Sequence, residues 1–152
     1  MKLDAIDRKL LNFLQEDSKQ TNKELSTKLN LSVTAIFERI KKLERGGIIE
    51  KYVALINKQK IELDFMVFCH VKLTQHSQQQ ITAFESEVAK LEEVLECFHV
   101  SGDYDYLLKV VVEDMQAFRN FMINKLTSLK HIGSTQSSFN ISDVKYTTAI
   151  AL

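Results

Sequence analysis

Apolar residues in the first third of the chain recur at helical steps, and later the period shortens toward that of strands. Over residues 3–14, Leu3, Ile6, Leu10, Phe13 and Leu14 fall three or four apart with Asp4 placed to cap, which predicts an amphipathic helix ending near residues 17–20. Thr21 and Glu24 have the spacing of a capping box, in which each side chain accepts from the other residue's free amide. They open a short helix with Leu25 and Leu29 on its inner face. After Asn30 and Leu31, Ser32 is placed to cap a third helix running to about Arg45, with Ile36, Ile40 and Leu43 inward and Gly46-Gly47 ending it.

Beyond Ile48 the pattern changes. Residues 49–56 read as a short strand or linker, and 65–73 (FMVFCHVKL) as a strand rich in Val and Phe. Residues 77–91 return to helical spacing, with Ser77 and Gln80 in a second capping-box arrangement and Ile81, Phe84, Val88 and Leu91 on one face. Strands over 94–100 and 106–112 flank SGDYD, Asp114 caps a helix to about Leu129, and 142–151 (SDVKYTTAIA) alternates as a last strand. The order βαββαβ predicts a ferredoxin-like α/β sandwich behind a helical domain, hence an α+β chain. The period is lost near residues 50–62, dividing the chain into 1–60 and 61–152.

Composition sharpens this division. With 45% hydrophobic residues in 152, the chain has enough apolar side chains for a real core. No apolar run approaches the ~20 residues of a bilayer span, and MKLDAIDRKLL is broken by acids, so a cytoplasmic protein without membrane contact is expected. Cys69 and Cys97 sit in apolar, strand-like sequence and are expected as reduced core thiols. Formal net charge is zero, yet residues 1–60 carry 13 Lys/Arg against 8 Asp/Glu (net +5), and residues 61–152 carry 7 against 12 (net −5). Opposite signs suggest two parts with different partners, the basic one meeting a polyanion.

The second and third helices, joined by a turn of three or four residues, match a helix-turn-helix. Opposite its Ile36/Ile40/Leu43 stripe the third helix presents Thr34, Ala35, Glu38, Arg39, Lys41 and Lys42. Thr34 and Ala35 are small enough for close approach to base edges. Arg39 has the fork geometry for guanine, and Lys41, Lys42 and Arg45 suit phosphates. Ser32 combines a cap with a hydroxyl at a helix N-terminus, where anions are favoured. The same periodicity also describes a three-helix packing unit with a solvated basic face. In the second half, VSGDYDYLL (100–108) places two acids between strands. Amides around Ser101, Gly102 and Asp103 could bind a carboxylate, with Asp103 or Asp105 accepting from an ammonium group. Equally, the loop reads as a hairpin turn whose aspartates bond local amides.

These motifs, taken in order, resemble the Lrp/AsnC (feast/famine) family of prokaryotic transcription regulators. The resemblance rests on LDAID at the start, ELS in the second helix, LSVT entering the third, RIKKLE followed by GGI, and the VSGDYDYLL loop. It covers nearly the whole chain. Val33 stands where many members carry proline, and Asn30 where relatives often have glycine. Asn30 is the next residue to tolerate a left-handed backbone. The resemblance implies a winged-helix-like DNA-binding domain on double-stranded operator DNA, contacts from Ser32, Thr34, Ala35, Glu38, Arg39, Lys41, Lys42 and Arg45, and an effector-binding and oligomerisation domain. It further implies an amino-acid or similar effector in a pocket lined by Ser101, Gly102, Asp103, Tyr104 and Asp105. Thr135, Gln136 and Ser137 are placed there from a second segment. Homodimers assembling to an octamer and a nucleoid-associated location are also implied.

Catalysis has little support in the sequence. His70, His76, His99 and His131 are scattered without metal-ligand spacing, and His70 and His99 fall in predicted strands as structural residues. Neither cysteine has an adjacent His and acid, and four glycines form no phosphate loop, so neither cofactor nor metal is expected. A stand-alone metabolite-binding module is the nearest alternative, and it would have no use for the basic helix. A small enzyme on the same fold would have to show turnover.

Overall fold

The computed structural model describes residues 2–152, and the chain forms two compact units: one built on residues up to Leu55 together with Val144–Leu152, the other on Ile56–Asp143. In the first unit α1 (Ala5–Glu16) opens on a reciprocal cap. The Asp7 amide donates to Asp4 Oδ1 at 2.7 Å and the Asp4 amide to Asp7 Oδ2 at 3.2 Å. The predicted box at α2 (Asn22–Leu29) forms in the same way, Thr21 N–H to Glu24 Oε2 at 2.7 Å and Glu24 N–H to Thr21 Oγ1 at 3.2 Å. Asn30 then turns the chain in the left-handed region at φ 52°, as its tolerance for that conformation predicts, and α3 (Val33–Arg45) starts two residues after Leu31. Leu10, Leu11, Leu25, Ile36 and Leu43 are buried together, with Leu29 and Ile40 partly buried beside them.

The second unit is a four-stranded antiparallel sheet in the order β2-β3-β1-β4, made of β1 (Phe65–Leu73), β2 (Val94–His99), β3 (Tyr106–Val112) and β4 (Ile132–Phe139). Helices α4 (Gln78–Val88) and α5 (Met115–Asn124) complete the βαββαβ order. Alternation puts Val67, Cys69, Val71 and Leu73 of β1, and Tyr106, Leu108, Val110 and Val112 of β3, in one core with Phe84, Val88, Phe118 and Phe121 from the helices.

Several expectations are corrected. The last strand is Ile132–Phe139, not 142–151, which has no regular structure; in that tail Gln15 Nε2 donates to Ile150 O at 2.9 Å and Ile150 N–H donates to Gln15 Oε1 at 2.7 Å. Residues 49–56 form no strand. The helix capped by Asp114 ends at Asn124 and is followed by a 3-10 turn, Leu126–Ser128. Cys69 is buried, but Cys97 is exposed because β2 lies at the sheet edge; both are free thiols, raised to about 11, by burial first in each case. Among the described residues, no helix is long and apolar enough to cross a membrane.

Candidate nucleic-acid interface and effector loop

Helix α3 begins where Ser32 Oγ accepts from the Ala35 amide at 3.1 Å, so the cap fixes the first turn and leaves Thr34 facing solvent. With Ile36 and Leu43 fully buried on one side, the 3.6-residue period throws Thr34, Glu38, Lys41 and Arg45 to the other. Lys42 is exposed on its flank. The exposed bases are only lightly tied down: Lys41 Nζ meets Glu44 at 2.8 Å, and Arg45 Nε donates to its own helix at Lys41 O, 3.2 Å away. Glu38, Arg39, Lys42 and Arg45 border an open groove of about 380 Å³ together with Asp4.

Arg39 is placed differently from the expectation. Its Nη1 donates to Asp4 Oδ2 at 2.7 Å and to Asp7 Oδ1 at 2.6 Å, and Asp7 is fully buried. Lys42 Nζ stands 3.9 Å from the other Asp7 oxygen. The two carboxylates of the α1 cap therefore face a guanidinium 32 and 35 residues away, pinning α3 to the start of α1. The bonds to Asp4 and then Asp7 raise the Arg39 pKa. Reciprocally the Asp7 amide, followed by Arg39, holds the Asp4 carboxyl below its ordinary value. The two aspartates of the LDAID stretch thus anchor α3. Only their capping role is visible in local spacing.

The loop between β2 and β3 is closed by Val100 N–H to Asp105 O at 2.8 Å and tied to β1 by Asp105 N–H to Val71 O at 2.9 Å. Gly102 takes φ 137°, which a side chain would strain, while Ser101, Gly102 and Asp103 face solvent. Asp105 faces inward to its own scaffold: Oδ2 accepts from Leu73 N–H at 2.7 Å, and Oδ1 lies 2.8 Å from His76 Nε2. Burial raises its carboxyl, but the Leu73 amide and His76 outweigh that and leave it below the ordinary range. Tyr104 meets the second segment, its hydroxyl donating to Gln136 Oε1 at 2.8 Å and its ring lying 5.2 Å from that of His70. Gln136 pairs with His70 across β4 and β1. Thr135 and Ser137 alternate to the opposite face, with Ser137 Oγ 3.9 Å from Cys69 Sγ. In the sequence His70 reads as a structural strand residue and His76 carries no role. The contacts of both to the loop span about thirty residues and leave no local spacing signal. No group of three or more His, Cys, Asp or Glu is arranged to hold a metal among the described residues.

Comparison with known proteins covers both domains. A family model for winged helix-turn-helix DNA-binding matches residues 3–50, and one for the Lrp/AsnC ligand binding domain matches residues 66–150. The leucine-responsive regulatory proteins of Klebsiella pneumoniae and Escherichia coli K12 are each 39% identical over 150 residues, covering 99% of this chain and 92% of theirs. Among solved structures, a Neisseria meningitidis transcriptional regulator in complex with L-Met superposes with a TM-score of 0.93 at 36% identity, covering 98% of this chain and 96% of that one. An AsnC family regulator from Agrobacterium tumefaciens gives 0.93 at 36% identity, covering 97% and 96%.

Proposed function

The chain belongs to the Lrp/AsnC family of transcription regulators, and from that premise we propose that α3 reads operator DNA while the β2–β3 loop of the second domain senses an amino acid. The family is one of regulators and not of enzymes. The observation that carries the reading is the free outer face of α3, where Lys41, Lys42 and Arg45 surround Thr34 and Glu38 opposite a fully buried Ile36 and Leu43. Such a helix enters the major groove N-terminus first, with Thr34 and Glu38 near base edges, the basic side chains on phosphates, and Ser32 and Ala35 at the capped entry. Arg39 acts here as a positioning residue, setting the angle of α3 against α1 through Asp4 and Asp7.

In the effector domain the exposed amides of Ser101 and Gly102 suit a carboxylate, and Asp103 suits an ammonium group. Tyr104 and Gln136 form a wall and Asp105 holds the loop in place, while Thr135 and Ser137, on the core side of β4, support the strand from behind and do not line the wall. The L-Met complex of the Neisseria meningitidis regulator supports the ligand class. One α3, about 20 Å long at 1.5 Å per residue, covers too few base pairs to be selective, so residues 61–152 assemble homodimers that read half-sites about one helical turn or a multiple apart. Dimers in turn assemble to an octamer associated with the nucleoid. Selection of binding sites from random duplexes, repeated with each amino acid present, tests the reading. Enrichment of a two-fold symmetric site, with recovery altered by one or a few amino acids, is expected; no enrichment under any condition would contradict it.

A further inference from the structure

The first two turns of α3 expose two large apolar side chains that no phosphate or hydrogen-bond role explains. Val33 is 46% and Phe37 45% accessible, and an i, i+4 pair stands side by side on a helix, about 5–6 Å apart. They form a ridge next to Thr34, in the half of the helix that approaches base edges. Lys41 Nζ lies 5.9 Å from the centre of the Phe37 ring. Whatever covers the ring also meets that ammonium, and Lys42 and Arg45 follow on the same helix. An apolar protein surface would strip water from these cations and bring no counter-charge of its own. The major groove meets both demands, since thymine C5-methyl groups project into it and phosphates line its edges.

We propose that Val33 and Phe37 are specificity-determining residues that recognise thymine methyl groups, so that the operator carries A·T pairs at the positions facing the first two turns of α3. The inference rests on the assignment of α3 as the DNA-reading helix. The ridge matches one to two base steps at 3.4 Å per step. Its chemistry distinguishes thymine from cytosine and from uracil, which lacks only the methyl.

The test uses the full-length protein and its selected duplex, with deoxyuridine replacing thymidine at one position at a time. For the wild type, one or two replacements should each weaken binding about fourfold, the value of one buried methyl-sized group. Phe37→Ala should lose discrimination at one of these positions and bind the thymine and uracil duplexes alike, whereas Phe37→Leu, which keeps an apolar branch, should retain part of it. A thermal melt checks that the variants are folded, as half-exposed side chains allow. Equal binding of thymine and uracil duplexes throughout, or discrimination that survives in both Phe37→Ala and Val33→Ala, overturns the inference. Lys42→Ala serves as the separate check on α3. If it too leaves binding unchanged, the helix assignment itself fails; if it weakens every duplex while uracil is tolerated everywhere, only the methyl reading fails.

Discussion

Arg39 shows how one long-range contact bears on the reading of a residue's role. By helical period it falls at the flank of the apolar stripe, where a base-reading and an anchoring arginine look alike; Asp7, whose contact favours the anchor, lies 32 residues earlier. Truncation would leave the buried Asp7 carboxylate with the Asp4 amide at 3.2 Å and, as its one cation, Lys42 at 3.9 Å. Breaking a buried pair costs about 3–5 kcal/mol; with Arg39 a quarter exposed, Arg39→Ala is expected to cost about 2–3 kcal/mol in urea unfolding, a loss that a solvent-facing base reader would not show. Asp4 adds a pH dependence of defined sign. Its carboxyl titrates lower when folded than when unfolded, so its contribution is present above about pH 4, the ordinary carboxylate range, and is lost as pH falls through the lowered value. Urea midpoints measured from pH 6 to pH 3 should therefore fall less steeply in Arg39→Ala than in the wild type.

At the scale of elements, what is legible in the chain is what local chemistry settles. The side chains of Asp4, Thr21, Ser32, Ser77 and Asp114 all accept amides at the helix starts where spacing puts them. β1 and β3 read as strands because their Val, Phe and Leu cover a core. Strand β4 (IGSTQSSF) escapes notice: polar and opened by Ile-Gly, it is a strand because β1 offers it a free edge, and strand propensity is mostly context. The tail 142–151 alternates well and finds no partner strand. The turn before α3 is the sharpest element-level test. At φ 52°, Asn30→Gly should be stable to within a few tenths of a kcal/mol, whereas Asn30→Val should lose about 1–2 kcal/mol in thermal or urea unfolding because a branched Cβ crowds the left-handed backbone.

The whole molecule joins a basic half, residues 1–60, to an acidic one, residues 61–152. An effector shifts assembly or DNA binding only by its differential affinity for two states; a tenfold preference is about 1.4 kcal/mol per site, and sites in one oligomer add. Asp103→Ala should abolish the amino-acid response in calorimetry and gel shift while leaving DNA affinity without effector within about twofold; an undiminished response would place the pocket elsewhere. The division of roles within the loop was only half legible, since Asp103 and Asp105 are two residues apart in the same motif and only the fold turns one toward solvent and the other onto Leu73 and His76.

Contact between the outer face of α3 and DNA is tested most directly by the salt dependence of binding to the selected duplex, wild type against Lys42→Ala. Each phosphate contact contributes about −0.9 to the slope of log K against log salt concentration. A steep linear dependence is expected for the wild type and a slope shallower by about one unit for Lys42→Ala, on specific and random duplexes alike. Superimposable lines for the two proteins would show that Lys42 meets no phosphate and that the basic face of α3 is turned to solvent.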